Sequence, residues 1–155
     1  MSSSDLPVGL GRQHAGIKLR RAYEAFTAAV FERLAAQGFD DLRPAHAQVF
    51  QHLEEDGIRL THLARAASVT PQSMASLVDD LERLGYVHRT RDPGDRRAAL
   101  IRPTDRGRAE VRAAREVIAK LEREWATKVG DKRFAALLED LTALQVVLGR
   151  ADAND

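Results

Sequence analysis

Arginines gathered on a turn are the side chains in this chain with the clearest chemistry to offer. Asp92-Pro93-Gly94-Asp95 is turn chemistry, with Arg91 just ahead of it and Arg96 and Arg97 directly behind. Proline presets φ for a tight turn, and glycine accepts the positive φ that such turns often need. Val87–Arg91 before the turn and Ala98–Arg102 after it can pair as an antiparallel hairpin. A tip bearing Arg91, Arg96 and Arg97 suits an anionic partner, although an exposed basic turn is often merely solvated. Asp95 and Arg97, two apart on one side of a strand, can hold each other and orient the tip, leaving Arg96 on the other side. Residues 88–108 hold seven Arg against three Asp, net +4, whereas residues 131–155 hold three basic and five acidic residues, net −2. The chain as a whole is only +1, so the basic patch is local.

Just upstream lie Gln72, Ser73 and Ser76. The segment from Leu60 to Leu81 is predicted to form two short helices around a turn at Ser68-Val69-Thr70. Thr61 is the expected cap of the first. Thr70 is a good N-cap for the second, and Pro71 suits its first position. With Met74, Leu77, Val78, Leu81 and Leu84 turned inward, the outer face shows Gln72, Ser73 and Ser76 in the first turns, then Asp79, Asp80 and Arg83. That is helix-turn-helix geometry, in which the second helix projects into a major groove about 12 Å wide. Glutamine can bond adenine through two contacts, and serine discriminates little. The bland alternative is a helical hairpin in a core with Gln72 and Ser73 solvated.

The elements that must position these side chains are mostly helical. A helix over about 12–37 is expected from Leu19, Tyr23, Phe26, Val30 and Leu34, closed by Gly38. A second helix is expected from Pro44 to Glu55, and a short extended piece at Gly57–Leu60. After the hairpin, Thr104 caps a long helix whose apolar positions Val111, Ala114, Ile118, Leu121 and Trp125 step by three and four. Gly130 breaks it, and a last helix runs over about Asp131–Leu148. Hydrophobic residues make up 44% and charged residues 30%, a globular composition. There is no cysteine, which excludes disulfides and thiolate metal sites. His14, His46, His52, His62 and His88 include no pair spaced as metal ligands on a helix. No nucleophile motif, phosphate loop or membrane span is visible, so no enzyme, cofactor or metal is expected and the location is expected to be cytoplasmic.

The run from Asp92 to Gly107 closely resembles the wing signature of the MarR family of transcriptional regulators. Leu81–Arg89 resembles that family's link from recognition helix to wing. The resemblance spans about residues 12–148. It implies a mainly α, α+β winged helix-turn-helix fold with N- and C-terminal dimerisation helices. The winged core would cover about 42–103 and the dimerisation helices about 12–37 and 104–148, with flexible tails at 1–11 and 149–155. It implies a homodimer that binds double-stranded DNA at a pseudo-palindrome, with a repressor as the expected sign of regulation. The alternative is a winged-helix protein–protein adaptor without specific DNA binding. The resemblance matches Gln72, Ser73 and Ser76 to recognition-helix positions, and Asp95 and Arg97 to the Asp-x-Arg pair of the wing, with Arg97 entering the minor groove; Thr70 and Arg83 on the recognition helix and Arg89, Arg91 and Arg96 on the wing complete the expected DNA-binding set. Pro103 departs from the family pattern and is expected to shorten the wing ladder slightly. Some members bind small aromatic or lipophilic effectors; Tyr23, Phe26, His46, Phe50 and Trp125 are the candidate lining here, and the same residues would also satisfy a plain core.

Overall fold

The computed structural model describes residues 14–148, and of Arg96 only the backbone. The expected tails therefore lie outside the described residues. Helix α1 spans Ala15–Ala35 and buries Thr27, Val30 and Leu34. Gly38, at φ 93°, turns the chain away from it, a conformation that costs glycine little. A 3₁₀ turn at Pro44–His46 leads into α2, Ala47–Phe50. This helix is shorter than expected from Pro44 to Glu55. Glu54, Glu55 and Asp56 would place negative charge at a helix C-terminus, where the dipole opposes it. The chain instead turns through a Gly57 N–H to Glu54 carbonyl bond, with Gly57 at φ 90°.

Strand β1 is Ile58–Arg59, followed by α3 at Leu60–Ala66. Arg59, not Thr61, occupies the N-cap of α3, and no side chain caps that end. Ser68 at φ 56° makes the turn. Helix α4 spans Pro71–Arg83, with Thr70 accepting the Ser73 N–H at 3.1 Å. Gly85, at φ 80°, leads into β2, Val87–Asp92, and the hairpin returns along β3, Asp95–Pro103. The three strands lie in the order β1-β3-β2, both pairings antiparallel. Arg91 faces Ala99 and Val87 faces Pro103, as the hairpin reading expects. Past Arg91 the register shifts, so that Asp92 faces Asp95 at the tip. Pro103 does not shorten the ladder as expected. It is the last residue of β3, and the Thr104 N–H continues the pairing to the Tyr86 carbonyl at 3.0 Å. A proline at a strand end forfeits little.

Helix α5 spans Asp105–Val129, its first turn capped by Thr104 accepting from the Gly107 N–H. Gly130, at φ 101°, joins it to α6, Asp131–Val147. The protein is mostly helical with one small sheet. Its main core gathers Leu42, Val49, Leu63, Met74, Val78, Leu81, Tyr86 and Ile101 under α3, α4 and the sheet. A second cluster joins α1 to α5 through Val30, Leu34, Val117 and Leu121. Arg33 reinforces that joint with two hydrogen bonds to Glu124. The inward face of α5 differs from the expected stripe: Gly107, Glu110, Val117 and Leu121 are buried, while Val111, Ala114, Ile118 and Trp125 are only half-buried. Helix α6 buries no residue at all, and Leu137, Leu138, Leu144 and Val147 stand exposed.

Candidate nucleic-acid interface and cavity

Helix α4 is anchored by Met74, Val78 and Leu81, each fully buried. That fixes its rotation, so Gln72, Ser73 and Ser76 face outward in its first two turns. Thr70 is also exposed, but its hydroxyl has structural work: it accepts from the Ser73 N–H and donates to Ser73 Oγ at 2.8 Å. Gln72 and Ser76 make no side-chain hydrogen bond among the described residues.

Arg83, at the far end of α4, bonds Asp80 at 2.9 Å. Asp80 also takes Arg43, and lies 3.8 Å from His46 Nε2. The hydrogen bond from Arg83 and the charge of Arg43 hold the Asp80 carboxyl below its usual range. His46 is completely enclosed, and burial pushes it toward the neutral form. Its Nδ1 accepts the Arg43 N–H at 3.1 Å. His46 thus belongs to the packing beneath α4.

The wing arginines divide into two sets. Arg89 lies back on α4: its guanidinium pairs with Glu82 and, at 2.6 Å, with Asp79, while its backbone N–H bonds Glu82 Oε1. It braces the wing against α4 rather than standing free. Arg91 and Arg97 are exposed, and neither guanidinium has a carboxylate partner among the described residues. The expected Asp95–Arg97 tie exists in altered form. Asp95 Oδ1 accepts the backbone N–H of Arg97 at 3.0 Å, which leaves the guanidinium available. The side chain of Arg96 lies outside the described residues.

Two supports join residues too distant in the chain for the sequence pattern to pair them. Asp92 accepts the Gly94 N–H at 2.8 Å and binds Arg59 of β1 through Nε at 2.7 Å and a second nitrogen at 2.5 Å. The Gly94 bond first, and Arg59 next, hold its carboxyl below the ordinary range. An Asp opening an Asp-Pro-Gly turn is a recognisable local signal; its partner 33 residues away is not. The second support is a bracket at the wing's base. Tyr86 donates to Asp41 at 2.6 Å, and Arg106 stacks on the Tyr86 ring at 4.3 Å while bonding the Leu84 carbonyl and Asp41. Burial, with the bond to Asp41, raises the Tyr86 phenol well above its usual range. A Cβ on Gly107 would stand 2.2 Å from the Tyr86 carbonyl, so only glycine lets α5 approach this closely.

A cavity of about 230 Å³ lies between α1, α2 and α5. Tyr23, Phe26 and Phe50 line it as expected; His46 and Trp125 do not. Trp125 packs edge-on against Phe26 from behind, with ring centres 5.6 Å apart. A residue outside the expected lining, Glu110, faces the cavity, is 2% exposed, and has an Oε2 without any hydrogen-bond partner. Burial raises its carboxyl to about 7. Among the described residues no group of three or more His, Asp or Glu could hold a metal ion, and no helix is long and apolar enough to cross a membrane.

Residues 40–98 match the family model of the MarR family. No curated protein matches the chain. Solved structures do. A MarR-family transcriptional regulator from Rhodococcus sp. RHA1 is 26% identical, with a TM-score of 0.67 over 83% of this chain and 90% of that one. CouR from Rhodococcus jostii RHA1, solved with p-coumaroyl-CoA, is 27% identical, with a TM-score of 0.65 over the same shares. CouR described as a transcriptional repressor bound to a 23-mer DNA duplex gives a TM-score of 0.68 over 91% of this chain and 99% of that one, at 24% identity, a likeness of fold. The matched segment contains α3, α4 and the wing up to Ala98; over it the chain matches the MarR family, and its fold is similar to that of solved MarR-family transcriptional regulators.

Proposed function

We propose that the chain is a homodimeric DNA-binding regulator, acting in the cytoplasm as a repressor on a pseudo-palindromic operator and released by a small ligand. The observation that carries this is one face bearing two readers. The polar start of α4 is held outward by a buried apolar side, and the wing beside it ends in arginines with no carboxylate partner among the described residues. In this reading Gln72, Ser73 and Ser76 meet base edges in the major groove. Arg91, Arg96 and Arg97 meet phosphates or the minor groove, where a narrow groove attracts arginine. Arg83 and Arg89, both already paired, hold α4 and the wing in place.

The winged core, about 42–103, would be carried by dimerisation helices at about 12–37 and 104–148. An exposed apolar α6 supports this: Leu137 is 47% and Val147 80% exposed, and such a face is well covered by its own copy in a two-fold pair. A ligand cavity between α1 and α5 lies where those helices meet the winged core. CouR, similar in fold, is solved in one structure with p-coumaroyl-CoA and in another with a DNA duplex, which supports the combination.

The test is a gel shift of the purified protein against the promoter region of its own gene, repeated at rising salt. Specific retardation that weakens steeply with salt is expected, because each dimer neutralises several phosphates. Equal retardation of unrelated DNA, or none, contradicts the reading.

A further inference from the structure

The cavity between α1, α2 and α5 is a more particular container than an apolar hole. Four of its walls are aromatic: Tyr23, Phe26, Phe31 and Phe50. Into this lining the chain places a carboxylate, Glu110, that is 2% exposed and whose Oε2 is shut from water with no hydrogen-bond donor. Buried polar groups are nearly always paired, so an orphan of this kind asks for a partner. The charged and titratable groups near it are few. Helix α1 contributes only Tyr23 and the end of α2 only neutral Gln51; Arg115, on α5 itself, lines the cavity but is exposed and pairs with no carboxylate among the described residues. Tyr86 stands behind it, its hydroxyl already given to Asp41.

We propose that this cavity, taken as the effector site of the reading above, binds a lipophilic amine: an apolar or ring-bearing body with one cationic nitrogen seated on Glu110. Three features point to a cation. A carboxylate facing an ammonium makes a charge-assisted hydrogen bond, stronger than one from a neutral donor. Aromatic faces attract the same charge, and ammonium recognition by aromatic cages is their common use. An anionic ligand would instead meet a second negative charge in a desolvated wall. The volume also fits. A cavity of about 150 Å³ takes benzene, so about 230 Å³ admits a substituted ring of modest size. Burial holds Glu110 poised between protonated and ionised near neutrality, and an ammonium ligand selects the ionised form.

The experiment titrates the full-length protein, free of DNA, with three matched probes: para-tert-butylbenzylamine, para-tert-butylphenol and para-tert-butylbenzoate. Heat of binding is the main readout. Trp125, the single tryptophan and a neighbour of Phe26, supplies a fluorescence readout of filling. The amine should bind about tenfold or more tightly than either partner, the preference a charged pair commands. Its affinity should rise from about pH 6 to about pH 8 as Glu110 ionises. Glu110→Gln, which keeps the side chain's shape, should abolish both the preference and the pH dependence. A benzoate or phenol that binds as tightly as the amine overturns the proposal, as does an amine indifferent to pH. The pH series on the unaltered protein decides the matter even if the variant misfolds. Because no DNA is present, failure here leaves the DNA-binding reading standing, and failure of the gel shift leaves this one standing.

Discussion

Arginines that brace the wing and arginines that its tip presents are the same residue type, treated in opposite ways. Among the bracing set, Arg59 of β1 is locked to Asp92 beside the turn, and Arg89 is locked to Asp79 and Glu82. At the tip, Arg97 lends only its backbone N–H to Asp95, and Arg91 has no carboxylate partner among the described residues. The acidic residues are therefore not a random dilution of the basic patch. They consume the cations that hold the hairpin in position and spare those that can reach a partner. A count of arginines overstates the anion-binding surface, because an arginine already neutralised releases few counterions when a phosphate arrives.

The contrast is sharpest at Arg97. Arg97→Ala should weaken binding to a cognate duplex by more than about tenfold, and reduce the salt slope by about one for each phosphate that is no longer neutralised. Its melting temperature should stay that of the unaltered protein, since an exposed side chain without partners contributes within about 0.5 kcal/mol. Retained affinity would erase the distinction between presented and bracing arginines.

Asp92→Ala attacks the bracing set. It removes the cap on the Gly94 N–H and frees Arg59, so the tip must be ordered on binding rather than beforehand. Affinity should fall roughly fivefold with the salt slope unchanged, and the melting temperature should drop by about a few degrees. The pH dependence has a definite sign. A carboxyl held below its ordinary 3.8 stabilises the fold above that value and loses its effect as pH falls through the lowered one. The gap in melting temperature between variant and unaltered protein should therefore narrow on acidification below pH 3.8. A gap that widens in acid contradicts the assignment.

Arg89→Ala should have the smallest effect on DNA. Affinity should change by less than about threefold and the salt slope not at all, with a stability loss of about 0.5 kcal/mol for its partly exposed ion pairs. A loss of affinity equal to that of Arg97→Ala would place Arg89 among the DNA-binding residues after all.

How far these roles are legible in the sequence follows from the range of the forces involved. Thr70-Pro71, Gly85 and Asp92-Pro93-Gly94 act locally, and α4 and the hairpin appear where those residues put them. The exposed start of α4 is readable because Met74, Val78 and Leu81 fix its rotation. Partners distant in the chain leave no such trace. Arg59 and Asp92, Asp41 and Tyr86, and Arg33 and Glu124 meet only after the chain folds. Arg89 looks like a free cation in the sequence because its partners lie 7 and 10 residues back, across a turn. Glu110 looks like one more helix charge, because a single acidic residue in a charged helix gives no sign that it will be enclosed. The stripe on α5 misleads for a related reason. A helix that meets its own chain on one side and exposes apolar groups on another has two apolar faces, and periodicity alone does not say which is inward.

In the proposed regulator, α4 and the tip of the wing read DNA twice, once from each half of a symmetric dimer. A random-site selection with the purified protein measures this most directly. An enriched inverted repeat is expected, its half-sites about one helical turn apart, centre to centre. A lone half-site with no symmetry, or no enrichment over random sequence, would contradict it.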